Sequence, residues 1–427
     1  MVIDEENELR NRISALGAMR HVEALARIGD RFVGTKGDKK TIVYVEKRFK
    51  ELGLTVDRTP ICVPSFQEKE TTLTIIQPQR RVFRALASYF TPATPKKGLE
   101  APLAYVGDGD EEDYAKGDVR GKIVVVRENL NKPKFWLGRD AAMAAKHGAV
   151  GLVSIHSNPL PYRTSFEIGN NNVEDRFPAV NVPTAVISCP DGEDLLYILG
   201  HGETRGILKV DVKMEEKKSF VIRGTMKGDG STQERISIIA HRDNGIPPGA
   251  NDNASGTGAM LEIARALKGL KLKRTVEFIS CTAEEGVTAG AYQYVKAHEA
   301  EMPQIKALFN IDMISTGGRL NLVGRGIWPD RPPLDHSQKL NSMLMQVAGE
   351  LGYSLGSMVA DWGVSESGRF IEKGVPAAWF WKPDDPYYHT TYDSPERLEP
   401  NVLKVVADIV AITILRLANM ERIPALK

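Results

Sequence analysis

Apolar residues Leu9, Ile13, Leu16, Val22, Leu25 and Ile28 recur at about helical spacing, and Gly34-Thr35-Lys36-Gly37 breaks the pattern. It resumes over Lys39–Leu52, with Ile42, Val45, Phe49 and Leu52 on one face, and Gly53 closes that helix. Thr71–Ile76 alternates as a strand does. The grammar then changes over roughly 83–212. Short apolar runs (Ala104–Val106, Lys122–Val126, Val150–Ile155, Thr184–Ile187) are parted by Gly, Pro, Asp and Asn. One helix intervenes, Asp140–His147, and residues 169–172 with prolines 159, 161, 178 and 183 mark long loops. This predicts a small β-rich module. From about 219 strands and helices alternate. The expected strands are Ser219–Gly224, Ile236–Ala240, Thr275–Ser280, Ala307–Ile311 and Ala377–Trp381. The expected helices are Ser255–Leu267, Thr288–His298, Asp335–Leu351, Ser365–Glu372 and Asn401–Leu417. Alternation of this kind predicts an α/β fold, a mixed and mainly parallel sheet flanked by helices. Residues 1–82 and 213–427 would form it, with 83–212 inserted as a smaller domain.

Composition removes several alternatives. With 42% hydrophobic and 26% charged residues, the 427-residue chain is not a disordered one. Its 56 Lys+Arg against 55 Asp+Glu leave no charge excess, so neither nucleic acid nor a membrane surface is expected as a partner. The most apolar stretch, Val405–Leu415, is too short to cross a bilayer and contains Asp408; it reads as the buried face of a last helix. The acidic N-terminus lacks the apolar core of a signal peptide, which favours the cytoplasm, although a trimmed secreted form would look the same. Three scattered cysteines (62, 189, 281) make neither a disulfide framework nor a cysteine–zinc module. Any metal site must therefore draw on Asp, Glu and the eight histidines.

In open α/β sheets ligands bind beyond the carboxyl ends of the strands. Four of the expected strands are followed there by a metal-capable side chain: His241-Arg-Asp243, then Glu284-Glu285, then Asp312, then Tyr388-His389. The loop after His241 reaches Asp252 at a helix start. Singly, each has an ordinary explanation. Asp252 can cap a helix, and Glu284 and Glu285 can be solvated acids favoured by a helix dipole. Asp312 is harder to dismiss, because it follows an apolar run where an unpaired carboxylate is costly. Together, two His and several carboxylates suit zinc or a similar divalent ion. Asp252 has two oxygens and can bridge a pair of ions, which activate water and polarise a carbonyl.

The ordered set Ala240-His-Arg-Asp243, Gly249-Ala-Asn-Asp252-Asn-Ala-Ser-Gly256, Ala283-Glu-Glu-Gly286, Asn310-Ile-Asp312 and Tyr388-His-Thr-Thr-Tyr-Asp393 resembles the M28 family of co-catalytic zinc peptidases. Asp30-Arg-Phe-Val-Gly34-Thr and the segment from Gly53 resemble that family's opening. Gly121-Lys-Ile-Val-Val-Val126 and Ala141–Val153 resemble a protease-associated domain. The resemblance implies two zinc ions, with cobalt or another divalent metal as a substitute. His241, Asp252 and Asp312 would hold one, and Asp252, Glu285 and His389 the other. It further implies Asp243 behind His241, Glu284 as general base, Tyr388 as oxyanion donor, and a cis peptide at Asp252–Asn253. The family's Ser-Asp-His near the substrate is here Ser365-Glu366-Ser367, and Gly374-Val-Pro376 stands where a Gly-Ile-Pro strand entry is usual. Glu366, Trp362 and Tyr387 are accordingly expected at the substrate. Trp362, Phe380, Trp381 and Tyr387 either line a hydrophobic specificity pocket or are core.

The expected activity is exopeptidase cleavage of the N-terminal peptide bond, with a peptide as the only partner implied. The alternatives are a carboxypeptidase or other amide hydrolase on the same scaffold, and a receptor-like binding protein, which would be expected to lack ligands that this chain retains.

Overall fold

The computed structural model describes residues 2–129, 136–160, 180–286, 288–328, 331–361 and 363–427. The expected loop at 169–172, prolines 161 and 178, and Trp362 lie outside them. The described chain divides into two compact units. Met1–Val63, Lys217–Tyr388 and Asp393–Lys427 form the first; Pro64–Glu216 with His389–Tyr392 form the second.

The first unit is built on a mixed sheet whose centre is parallel. Across it run Arg331–Asp335, Asn321–Trp328, Ala377–Trp381, Ile305–Ile311, Arg235–His241, Thr275–Cys281 and the C-terminal part of Arg205–Met226. The four strands from Ala377–Trp381 to Thr275–Cys281 are mutually parallel. Cys281 pairs with His241 and Ile311 with Phe380, so the carboxyl ends come out level along one rim. These strands are buried on both faces, which is why they read as near-continuous apolar runs. Helices Ala15–Ala26, Gly256–Leu267 and Pro400–Asn419 pack together over the sheet.

The helix Gly256–Leu267 sets the position of the loop before it. A Cβ on Gly256 would come 2.1 Å from the carbonyl oxygen of Ile311, and one on Gly258 2.9 Å from that of Ala18. Glycine at both positions lets this helix start hard against the end of the Ile305–Ile311 strand and against Ala15–Ala26. Residue 252 thereby reaches the rim. The last helix has the expected buried face, and its Asp408 accepts hydrogen bonds from Tyr353 Oη (2.6 Å) and Lys404 Nζ (2.8 Å). Among the described residues no helix is long and apolar enough to cross a membrane.

Arg31, wholly buried, clamps the loop between His241 and Asp252. Its Nε donates to Arg242 O (2.8 Å), Nη1 to Leu25 O (3.2 Å) and Pro248 O (2.6 Å), and Nη2 to Gly249 O (2.7 Å). Burial pulls its pKa down to about 10 against the pull of Asp393, Asp243, Asp252 and Glu285. Arg31→Met should cost about 3 kcal/mol, because several buried carbonyls lose their donor at once. Denaturant melts of the metal-free protein check this, and an unchanged midpoint would show that the clamp carries no stability.

In the second unit Leu99–Tyr105, Ile123–Arg127, Gly151–Ile155 and Thr184–Ile187 form a parallel set, edged antiparallel by the N-terminal part of Arg205–Met226 and by Leu86–Ala87. It holds more helix than expected. Besides Trp136–Lys146 there are Glu111–Tyr114 and Cys189–Gly200. Pro190 and Gly192 make the last read as a loop, but proline is tolerated in a first turn, and Ser188 caps it by accepting from Asp191 N. Two strands are also far longer than their apolar cores, Thr55–Gln77 and Arg205–Met226. Exposed polar stretches such as Glu68-Lys69-Glu70 hide their continuity.

Candidate metal centre

His241 closes its strand, and carboxylates from the segment that follows it and from the end of the Ile305–Ile311 strand reach it. Its Nε2 lies 3.3 Å from Asp252 Oδ1 and 3.2 Å from Asp312 Oδ1, and its Nδ1 lies 3.4 Å from Asp243 Oδ1. One donor atom from each of His241, Asp252 and Asp312 lies within 4.8 Å of the others. Asp252, Glu285 and His389 make a second group by the same measure, so Asp252 belongs to both. All five residues are buried.

The local backbone explains the aim of these groups. Asp393 accepts from the backbone N–H of Asn251 (2.7 Å) and of Asp252 (3.0 Å). Asn251 Nδ2 donates to Asp385 Oδ2 (2.8 Å), and its Oδ1 accepts from Ser315 N (2.9 Å). Asn253 Nδ2 donates to Ile311 O (2.9 Å) and its Oδ1 accepts from Gly256 N (2.8 Å). The Asp252–Asn253 peptide is cis. Glu285 Oε1 accepts from Gly245 N (2.6 Å), and Asp243 Oδ2 accepts from Glu285 N (3.3 Å). Six non-glycine residues among those described have left-handed backbone, and three of them (Ala283, Met313 and His389) precede, follow or supply these donors. Strain of this kind gathers at functional sites.

Electrostatics favour a cation here. Burial works against a charged His241, yet Asp312, Asp243 and Asp252 outweigh it and hold the imidazole well above its ordinary pKa. Burial pushes Glu284 well above the usual carboxylate range, with Asp312, Glu366 and Glu285 adding to it against His241. Burial also raises Asp393 to about 8, against the two backbone N–H groups it accepts. So many buried carboxylates are costly unless positive charge compensates them. A His/carboxylate donor set with no thiolate suits a divalent ion of the zinc type.

The remaining expected residues fall in three places. Glu284 is partly exposed beside the donors, and Tyr388 is half-buried against a small cluster of Met313, Val323, Ala360, Trp379 and Trp381. Tyr387 carries Arg397 over its ring at 4.8 Å and accepts from Arg397 Nη1 at 3.3 Å. One expectation needs correction. Glu366 has 0% exposure, with Oε2 held by Ser365 and Asn310 and Oε1 buried, so it cannot touch substrate directly. Of the two readings left open for Phe380 and Trp381, the core one holds: both are buried, because alternate residues of this strand face packed layers on both sides. Asp393, Asp385, Asn251, Asn310 and Arg31 support the site and were given no role from sequence. The only sign was that Asp393, Asn251, Asn310 and Arg31 stand inside motifs already singled out.

A parallel-centred α/β domain with His/carboxylate donors along one rim has the architecture of a metallohydrolase. Residues 222–414 match Peptidase family M28, and residues 98–195 match the PA domain. The chain thus contains a region that matches peptidase family M28 and one that matches the PA domain. It is similar to Aminopeptidase YwaD of Bacillus subtilis (strain 168), 27% identical over 413 residues, which are 93% of this chain and 83% of that protein. Carboxypeptidase Q of Homo sapiens is 25% identical over 411 residues, 92% of this chain and 83% of that protein. The solved structure of BSAP, a zinc aminopeptidase from Bacillus subtilis, superposes with a TM-score of 0.77 at 26% identity, covering 97% of each chain.

Proposed function

We propose that the protein is an aminopeptidase that uses two zinc ions to hydrolyse the N-terminal bond of peptides. The observation that carries this reading is Asp252, which belongs to both donor groups. His241, Asp252 and Asp312 would hold one ion; Asp252, Glu285 and His389 would hold the other. Zinc held there supplies Lewis acidity, which makes water easier to deprotonate and polarises the scissile carbonyl. Glu284 is in neither donor group, so it takes the proton from water and returns it to the leaving amine. Asp243 keeps the His241 ring in place through Nδ1, leaving Nε2 for the ion. Tyr388 donates its phenol to the oxyanion as the tetrahedral carbon forms. Tyr387, on the same loop, is the aromatic residue available to the substrate side chain.

The name of the human relative favours a second reading, a carboxypeptidase on the same scaffold. One experiment covers both. Peptide hydrolysis should be lost after dialysis against a chelator and return with zinc or cobalt. In the restored enzyme, free peptides and C-terminally amidated peptides should be cut from the N-terminus, and N-acetylated ones left intact. Cleavage of acetylated but not of amidated peptides would establish the carboxypeptidase instead. Full activity in chelator would remove the metal from the mechanism.

A further inference from the structure

Behind the donor groups, three oxygen atoms share one visible hydroxyl. Ser365 Oγ lies 2.7 Å from Asp312 Oδ2 and 2.5 Å from Glu366 Oε2. A serine hydroxyl has a single hydrogen and can donate to only one carboxylate at a time. Were both ionised, one of these contacts would be two acceptor oxygens with no proton between them. Asn310 shows which way the chain runs. Its Oδ1 accepts from Ser367 N (2.7 Å), which turns Nδ2 toward Glu366 Oε2 (3.0 Å). Apart from Ser365, the Glu366 carboxyl therefore receives only neutral donors, the Asn310 amide and its own backbone N–H, and no Lys or Arg among the described residues pairs with it. Asp312 Oδ1 faces His241 Nε2, so Oδ2 is the oxygen turned back to Ser365.

We propose that Glu366 is a neutral positioning residue for Asp312: its carboxyl proton is donated to Ser365 Oγ, and the Ser365 hydroxyl is donated to Asp312 Oδ2. The Asp312 carboxylate is thereby fixed with Oδ1 toward the donor centre, and no second buried negative charge is placed behind it. The importance of this chain for metal binding rests on the two-zinc reading above; the location of the proton does not. The titratable groups facing Glu366 are His241, Asp312, Glu284 and Cys281. Burial raises the Glu366 carboxyl to about 7, with Asp312 adding and His241, the Ser365 hydroxyl and the Glu366 backbone N–H opposing.

The test is infrared difference spectroscopy combined with metal titration of the whole protein. Metal-free wild type should show a protonated-carboxyl band near neutral pH that Glu366→Gln removes and Ser365→Ala shifts. Glu366→Gln keeps an uncharged side chain of the same shape, but an amide nitrogen donating to Ser365 Oγ faces the Asn310 Nδ2 donor, so its zinc affinity should fall less than that of Glu366→Ala rather than match wild type. Glu366→Ala removes the donor, and its zinc affinity should fall about 10- to 100-fold. Absence of the band in wild type would overturn the proposal. So would a Glu366→Gln variant as weak for zinc as Glu366→Ala, since that would show a charged Glu366 is required. If wild type binds no zinc, the two-zinc reading fails and the infrared band alone decides where the proton sits.

Discussion

Glu284→Gln should lower kcat by about 10²- to 10⁴-fold while the protein keeps its full metal content. The reason lies in the division of labour between two adjacent acids. Glu285 is buried, with Oε1 held by the backbone N–H of Gly245, and it contributes a donor atom to the group with Asp252 and His389. Glu284 belongs to neither group and stays partly exposed, so it is the acid that can exchange a proton with water. Glutamine has nearly the same shape but can neither accept that proton nor return it to the amine. KM should change little, because the base acts on water rather than on substrate. Metal analysis alongside steady-state kinetics separates the possibilities. A variant that loses metal would make Glu284 a ligand, and one with near-normal kcat would not be missing a base.

The legibility of this site follows from where the chemistry sits. Four central strands are buried on both faces, so their apolar runs stand out, and a polar residue ending such a run is conspicuous. His241, Glu285, Asp312 and His389 could be read one after another for that reason, and Asp252 through its flanking glycines and asparagines. The supporting residues left no such mark. Arg31 stands inside a motif, but only the tertiary fold shows four carbonyls converging on its guanidinium. Asp393 and Asn251 act through backbone N–H groups whose positions depend on the turn they help to hold.

Glu366 shows the opposite failure. Its place in the stretch that resembles the family's Ser-Asp-His suggested a substrate contact, and burial behind Ser365 cannot be seen from that resemblance. At the level of the fold, the parts missed were those whose pattern conflicts with their state. Gly324, Arg325 and Gly326 interrupt Asn321–Trp328, which pairs beside Ala377–Trp381 all the same. Pro190 hid the helix Cys189–Gly200, and exposed acids and lysines hid the middles of the two longest strands. In each case tertiary pairing or a single cap overrode local preference.

Asp252→Asn should abolish tight metal binding at both donor groups and reduce turnover by more than the Glu284 change. Asp252 is the one residue the two groups share, and bridging needs an anionic oxygen on each side. An amide offers a single neutral oxygen. The variant should nevertheless fold. The turn is held by Asp393 accepting from the backbone of residues 251 and 252, and by Asn251 and Asn253, none of which uses the Asp252 carboxylate. Removing one of several crowded negative charges should leave the metal-free variant at least as stable as metal-free wild type. Asp312→Asn gives the contrast, since Asp312 belongs to one group only and should weaken a single binding step. Chelator-competition titrations would resolve the two cases, with thermal melts of the metal-free proteins as the control for folding. If Asp252→Asn kept one ion at wild-type affinity and most of its turnover, Asp252 would not bridge, and the paired-ion chemistry proposed for this rim would have to give way to a single-ion one.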